Sequence, residues 1–289
     1  MLSFLERIDR RVAFLLMGLA VAIPILWPLP LSYRPSPLAQ ATFDAIDRLP
    51  DGSRIAFSFD YDPASSGELQ PMANAFLYHC ARKRHRLYFM ALWAPGKTIC
   101  TDTIAAILPK YRPDAVYGTD YVELGYQAGN QGVIKIAATD LRQQFKTDVR
   151  GTPLDSIPMM SGVGSLQAMD LLVTVSAGDP GSKEWVQYLC TPFPKTRMVT
   201  GTTGVQSVSL YPYIPNQIAG MLGAIKGAAE YEAIVNERYP VDGHAVPELA
   251  EGGRRMGPQL VAHLLMVALI VLGNVIFLMQ RKARREGRR

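Results

Sequence analysis

Acidic, glycine and hydroxyl residues follow several short apolar runs of the chain, and these residue types could bind a ligand or a metal ion. They are Asp60 and Asp62; Gly96, Lys97 and Thr98; Thr139 and Asp140; Gly178 and Asp179; and Gly201, Thr202 and Thr203. If the runs are parallel strands, their carboxyl ends meet at one edge of a sheet, where ligands bind in open α/β folds. The spacing therefore predicts a ligand-binding site at that edge.

Two aspartates, Asp60 and Asp62, follow the first apolar run directly. The triplet resembles motif I of the haloacid dehalogenase-like phosphatases, where the first acid is the nucleophile and the second is the general acid/base. The run that ends at Ser176, with Asp179 nearby, could stand in for that family's second motif. The resemblance implies a metal-dependent phosphatase or hydrolase, with Mg²⁺ as cofactor and these four residues as catalytic candidates. Two alternatives are a divalent-cation site at the two aspartates without catalysis and a turn that begins at Asp62 and Pro63.

Residues 91–98 read ALWAPGKT between a predicted strand and a predicted helix. This resembles the Walker A motif of P-loop nucleotide-binding proteins, except that Ala91 replaces the first glycine. The resemblance implies a nucleotide-binding regulator in which Gly96, Lys97 and Thr98 hold a phosphate. An ordinary helix N-terminus, with Lys97 in solvent, is the alternative.

The cysteines and histidines form no recognisable zinc or thiol site. None of the three cysteines, Cys80, Cys100 and Cys190, belongs to a C-x-x-C pair, and the four histidines are scattered. The cysteines predict either one disulfide with a free thiol or three buried, unpaired thiols. Because no complete catalytic set is found, the first hypothesis is a non-catalytic binding or scaffold domain.

Strand-like and helix-like stretches alternate through the middle of the chain, which predicts a Rossmann-like three-layer α/β fold with a mostly parallel sheet. The predicted strands are residues 54–60, 86–94, 115–117, 133–138, 171–176 and 196–200. The predicted helices are residues 68–83, 98–110, a short helix from Asp140, 163–169, 182–190 with Ser182 as N-cap, and 215–237.

The predicted helix 215–237 carries small residues at helical spacing, among them Gly220, Gly223, Ala224 and Gly227. Each glycine in a helix interior costs up to about 1 kcal/mol relative to alanine, so a close neighbour must compensate. Two explanations remain open: tight packing on the sheet, or a helix–helix interface with another subunit.

Each end of the chain contains an uncharged apolar segment, residues 12–31 and 258–280. Both lengths suit a helix across the roughly 30 Å hydrocarbon core, although the first could be a cleaved signal peptide. Basic residues flank both segments on their outer sides, in residues 1–11 and 281–289. The positive-inside rule then places both termini in the cytoplasm, although Arg254 and Arg255 oppose that assignment.

These segments predict a protein of the cytoplasmic (inner) membrane with an extracytoplasmic domain at residues 38–239, between linkers at 32–37 and 240–257. The expected partners are the lipid bilayer and either further copies of the chain or other membrane proteins.

Composition excludes two broad classes of protein. Of the 289 residues, 48% are hydrophobic and 19% are charged, which fits neither a disordered chain nor a polytopic membrane protein. The net charge of +5 comes from the C-terminal tail, where six of the last nine residues are basic. The remaining chain is nearly neutral, so no nucleic-acid partner is expected.

Overall fold

The computed structural model describes residues 10–27 and 34–286. The predicted cytoplasmic N-terminus, the C-terminal half of the predicted segment 12–31, the start of the linker 32–37 and the end of the basic tail therefore lie partly outside the described residues. Residues 33–253 form one compact unit, and the two terminal segments form another. Each unit is described by itself.

The compact unit is built on six parallel strands. They are β1 (Arg54–Asp60), β2 (Arg86–Ala91), β3 (Tyr121–Tyr126), β4 (Leu171–Ser176), β5 (Met198–Thr202) and β6 (Ile218–Gly223). Their order is β3-β2-β1-β4-β5-β6, so the winding direction reverses between β1 and β4. The predicted Rossmann-like α/β fold is confirmed, and the reversal marks the position where such folds bind ligands.

Ten helices accompany the strands. They are α1 (Arg10–Leu26), α2 (Pro37–Asp47), α3 (Ser66–Arg82), α4 (Ala94–Tyr111), α5 (Gln131–Thr139), α6 (Leu141–Gln144), α7 (Ser182–Trp185), α8 (Gly204–Leu210), α9 (Ala224–Arg238) and α10 (Glu251–Glu286), among the described residues. A π-helical turn, Val186–Cys190, continues α7, and a 3₁₀ turn, Tyr211–Tyr213, follows α8.

Helices cover the sheet on both faces because successive side chains of each strand point to opposite sides. On one face, Phe57 and Phe59 of β1 stack with each other, and the ring of Phe89 of β2 packs against both at a tilt. On the other face, alternate strand residues join a second apolar cluster that includes Phe145 and Trp185. The result is a three-layer sandwich with two buried cores.

The predicted helix 215–237 is wrong, because its first part is the edge strand β6 and only its second part is the helix α9. A Cβ atom at Gly220 would lie 2.4 Å from the backbone nitrogen of Thr42, so this glycine lets α2 pack directly on the strand. A Cβ at Gly227 would lie 2.8 Å from the Cα of Leu222. Gly220 and Gly227 thus allow close packing inside the domain. The subunit interface predicted at Gly220, Gly223, Ala224 and Gly227 stays a prediction, but the four residues do not share one helix.

Two further predicted strands are wrong. Residues 133–138 belong to α5, where Val133, Ile134, Ala137 and Ala138 are buried at helical spacing. Residues 115–117 form no strand, and the third strand is β3, which the prediction missed because its sequence, YVELGY, mixes polar and apolar residues. Thr139 therefore ends α5 and Asp140 is the N-cap of α6, so neither follows a strand at the carboxyl edge of the sheet.

Several boundaries also differ. The strands predicted at 86–94 and 196–200 are residues 86–91 and 198–202, and the helix predicted at 163–169 shortens to a 3₁₀ turn at Leu166–Ala168. The predicted linker 240–257 is helical from Glu251 onward. The three cysteines are buried free thiols, which confirms the second alternative for them.

Among the described residues, one helical segment is long and apolar enough to cross a membrane, and it is Pro247–Lys282, which contains most of α10. The N-terminal helix α1 has 17 residues and is shorter than a usual span. The expectation of two spanning helices is therefore supported for the C-terminal helix only.

Candidate functional site

A band of polar side chains crosses one face of the sheet at its carboxyl edge. In the register of β1, β4 and β5, one row contains Ser58, Thr174 and Thr200, and the next row contains Asp60, Ser176 and Thr202. These six residues, which we call the polar stripe, are fully buried. They lie at the carboxyl edge of the sheet, across the point where the strand order reverses.

Asp60 is held by three hydrogen-bond donors. The backbone N–H of Leu92 donates to Oδ1 at 2.8 Å, the indole N–H of Trp185 donates to Oδ2 at 2.9 Å, and the Ser58 hydroxyl lies 2.7 and 2.8 Å from the two oxygens. Burial raises the pKa of Asp60 to about 7, although the three donors favour the ionised form. Both carboxylate oxygens are thus occupied inside the protein.

Ser182 of α7 connects three hydroxyl residues of the polar stripe. Its Oγ lies 2.6 Å from both Ser176 Oγ and Thr200 Oγ1, and 2.9 Å from Thr174 Oγ1. The backbone N–H of Ser182 also donates to Ser176 Oγ at 3.1 Å. Ser182 is the first residue of α7 and not its N-cap, a position that Gly181 occupies. The predicted cap is therefore wrong, since the serine side chain turns into the sheet.

The loop between β4 and α7 folds tightly over this edge. The indole N–H of Trp93 donates to the carbonyl oxygen of Pro180 at 2.7 Å. A Cβ at Gly178 would lie 3.0 Å from the Trp93 ring, and a Cβ at Gly181 would lie 2.4 Å from the Gly178 carbonyl oxygen. These glycines allow close packing of the loop, which encloses the polar stripe together with α7.

The second acid of the predicted pair lies apart from the stripe. Asp62 is half-buried, and its Oδ1 accepts a hydrogen bond from the backbone N–H of Ser65 at 3.1 Å. This is the turn that the sequence offered as an alternative. Asp179 is exposed on the β4–α7 loop. In the described parts of the chain, no group of three or more His, Cys, Asp or Glu side chains could hold a metal ion.

The predicted phosphate loop is helical. β2 ends at Ala91 and α4 begins at Ala94, so Gly96, Lys97 and Thr98 lie in the first turns of that helix. A Cβ at Gly96 would lie 2.0 Å from the carbonyl oxygen of Phe59, which explains the glycine as a packing residue. Lys97 and Thr98 are exposed. This geometry is that of the ordinary helix N-terminus.

The remaining predicted residues follow β5. A Cβ at Gly201 would lie 2.8 Å from Met72 Sδ, so this glycine accommodates α3 on the apolar face of the sheet. Thr202 is buried in the polar stripe, and Thr203 precedes α8 as its N-cap residue without a side-chain cap bond.

The sequence prediction missed Ser58, Thr174, Thr200, Ser182 and Trp185. The first three could have been found, because a polar residue recurs two positions later in each of RIAFSFD, LLVTVS and MVTGT, the period of one strand face. No local sequence pattern predicts that the side chains of Ser182 and Trp185 contact the polar stripe.

A second polar feature lies at the end of β6. A cleft of about 350 Å³ is lined by residues that include Ser36, Tyr211, Lys226 and Glu230. The buried carboxylate of Glu230 accepts hydrogen bonds from the backbone N–H of Ser36 at 3.2 Å and from its hydroxyl at 2.5 Å. Lys226 Nζ lies 3.4 Å from the other carboxylate oxygen. The cleft therefore adjoins the beginning of the compact unit.

Compared with models of protein families, with curated proteins and with solved structures, the chain matches none of them. The fold and the two polar features are consequently the evidence for the function of this protein.

Proposed function

We propose that this protein is a membrane-anchored binding or scaffold subunit of a membrane complex, with a non-catalytic α/β domain on the extracytoplasmic side. The observation that carries the proposal is the enclosure of the polar stripe. A catalytic group must reach the proton or atom on which it acts, but Asp60 is fully buried and both its oxygens accept hydrogen bonds from the protein.

The hydroxyl part of the stripe supports the same proposal. Ser182 bonds to the hydroxyls of two strands and leaves no side chain of the group directed to solvent. A fully connected buried network favours one arrangement of the elements that supply it. We infer that the stripe fixes α7 and the β4–α7 loop on the sheet and that the domain presents its outer surface to partners.

The membrane part of the proposal is supported by α10 and by the charge of the tail. Basic residues directly follow the apolar stretch of α10 in the sequence, as in a stop-transfer helix. The proposal places the tail in the cytoplasm and residues 33–253 on the opposite side, with the N-terminal apolar segment as a signal anchor. Assembly with further copies or with other membrane proteins is part of the same proposal.

The catalytic question is tested by activity assays on the full chain in detergent. Phosphatase and nucleotide-hydrolysis assays with Mg²⁺ should give the same background rate for wild type, Asp60→Asn and Lys97→Ala. A turnover that Asp60→Asn abolishes while the variant stays folded would overturn the non-catalytic proposal in favour of a hydrolase. Nucleotide affinity that is lost in Lys97→Ala would favour the nucleotide-binding regulator.

The location is tested with a single introduced thiol. The three native cysteines are buried, and burial raises the pKa of each thiol, so they should react slowly with maleimides in the folded protein. Val116 is 57% exposed and suits replacement by cysteine. A membrane-impermeant maleimide should label Val116→Cys in intact spheroplasts. Labelling only after lysis would place the domain in the cytoplasm.

A further inference from the structure

The cleft at the end of β6 has no part in the scaffold role proposed above. Its volume is about 350 Å³, and its lining includes Gly223, the last residue of β6, and the first residues of α9. Ligands of open α/β sheets bind beyond the carboxyl ends of the strands, and small-molecule pockets have volumes of roughly 300–1,000 Å³. The cleft therefore has the position and the size of a site for a small ligand.

The wall of the cleft combines aliphatic side chains with a tyrosine. Leu38 and Met221 line it, and Met221 is buried. Tyr211 lines it as well and is 55% exposed. Among the residues that the structure describes, no hydrogen-bond partner is found for the Tyr211 hydroxyl, a group that can both donate and accept. An apolar wall beside a few available polar groups is typical of small-molecule sites.

The two charged groups of the cleft form a pair. Glu230 Oε1 lies 3.4 Å from Lys226 Nζ, while Glu230 Oε2 accepts the two hydrogen bonds from Ser36 described above. Oε1 can accept a further hydrogen bond, and the Lys226 side chain, which is 67% exposed, can donate others. The buried carboxylate opposes an anionic ligand and the lysine opposes a cationic one. The pair therefore favours a ligand without charge.

Hydroxyl groups on a ligand match this mixture of donors and acceptors. A hydroxyl donates one hydrogen bond and accepts others, so it can bond to the Glu230 carboxylate, the Lys226 ammonium group or the Tyr211 hydroxyl. A monosaccharide carries several hydroxyls around a ring whose faces present C–H groups. Such a ring face packs on aliphatic and aromatic side chains, which the cleft supplies in Leu38, Met221 and Tyr211.

We propose that this cleft binds a neutral polyhydroxyl ligand of monosaccharide size, with Glu230, Lys226 and Tyr211 as the hydrogen-bonding residues. The inference goes beyond the scaffold role and does not depend on the membrane anchor, because every residue it uses belongs to the compact unit. It also requires no movement of the fold, since the cleft is already open in the structure.

The test is a saturation-transfer NMR titration of the full chain in a detergent without a sugar headgroup. The neutral probes are D-glucose, D-galactose, D-mannose and N-acetyl-D-glucosamine. The 6-phosphate and the 2-amino form of each hexose are the charged counterparts. We expect saturable binding of at least one neutral sugar and weaker binding of the charged forms. No saturable binding of any neutral sugar would overturn the proposal, and so would tighter binding of a 6-phosphate, which would indicate an anion site.

Two pairs of variants then locate the site. Tyr211→Phe removes one exposed hydroxyl and should weaken sugar binding about two- to tenfold. Its matched control is Tyr213→Phe, in the same 3₁₀ turn but outside the cleft lining, which should leave the affinity unchanged.

Glu230→Gln should weaken binding about tenfold, because a neutral acceptor replaces a charged one. Its control is Glu232→Gln on the same helix, because the buried carboxylate of Glu232 accepts hydrogen bonds from the backbone N–H groups of Gly252 at 3.0 Å and Gly253 at 3.2 Å and does not line the cleft. If Glu230→Gln folds poorly, Tyr211→Phe alone decides, since its side chain is exposed. Full affinity in Tyr211→Phe, or an equal loss in Tyr213→Phe, would overturn the site and leave the scaffold proposal standing.

Discussion

The carboxylate of Asp60 is subject to two opposing effects, and replacing it by asparagine separates them. Leu92 and Trp185 donate to different oxygens of the carboxylate. The side chain of asparagine offers one oxygen and one amide group, so at least one of these buried donors loses its acceptor. Leaving a buried donor unpaired costs about 1–3 kcal/mol of the free energy of unfolding. This loss is the first effect of Asp60→Asn.

The second effect has the opposite sign and depends on pH. Burial raises the pKa of Asp60 from 3.8 to about 7. Between these pH values the native protein holds a proton that the unfolded chain has released, so the contribution of Asp60 to stability is complete below about pH 4 and declines as the pH rises to 7. The total decline is up to about 4 kcal/mol. Asparagine is neutral at every pH, so the variant does not undergo this decline in stability.

The variant should therefore be less stable than wild type by about 1–3 kcal/mol near pH 4, a deficit in Tm of roughly 2–12 °C for a unit of this size. The deficit should shrink as the pH rises and should vanish or reverse at pH 8. The assay is thermal unfolding of residues 34–253 between pH 4.5 and 8, followed by near-ultraviolet circular dichroism. The quantity compared is the difference in Tm between variant and wild type at each pH.

The Tm of the variant is compared with that of wild type at the same pH because two buried histidines also make stability depend on pH. Burial lowers the pKa values of His79 and His85 to about 4, so both destabilise the fold as the pH falls from 6.5 towards 4. They do so equally in wild type and variant and cancel in the comparison. Asp62→Asn is the matched control, because asparagine also accepts the turn hydrogen bond from Ser65 and should leave Tm nearly unchanged. A deficit for Asp60→Asn that grows with pH would refute the reasoning and show that the three donors outweigh burial.

Three further predictions concern packing and the chain ends. Gly220→Ala should destabilise the unit by about 1–3 kcal/mol, because the new methyl group would meet the backbone of Thr42. The control is Gly132→Ala, at a helical position with open space, which should be neutral or stabilising by up to about 1 kcal/mol. Denaturant titration checks both, and equal effects would contradict the packing argument. Glu232→Gln should weaken the cap on the first turn of α10 by about 0.5–2 kcal/mol, seen as faster hydrogen exchange at Gly252 with no change at the sheet. Unchanged exchange at that amide would show that the carboxylate does not fasten the chain end.

The sequence predicted the central strands and the edge at which their polar residues meet. β1 and β4 were predicted with their correct bounds, because apolar runs ended by polar residues are typical of buried parallel strands. The strands that the prediction missed are the two edge strands, β3 and β6. β6 reads IAGMLG and continues into an alanine-rich helix, so its small residues fit a helical pattern equally well. The contact of Gly220 with α2 is what requires the strand. Tertiary packing, which no local pattern records, decided that segment.

The site was predicted less well than the fold, for a related reason. The rule that parallel strands end at one edge of the sheet brought Asp60, Ser176 and Thr202 together, but it carries no information on what covers them. Enclosure depends on Trp185 and Ser182, which come from α7, and a side chain that turns inward from a helix start looks like a cap in the sequence. Asp60 was therefore predicted as an accessible catalytic candidate, whereas its carboxylate is fully buried.

The two polar features hold the elements around β1, β4, β5 and β6 together by buried hydrogen bonds. The polar stripe fastens α7 to β1, β4 and β5, and the two glutamates of α9 fasten both chain ends beside β6. Buried hydrogen-bond networks of this kind favour one arrangement of the elements that supply them. Such an arrangement fits the proposed binding or scaffold role better than closure around a small ligand, since closure requires elements that move.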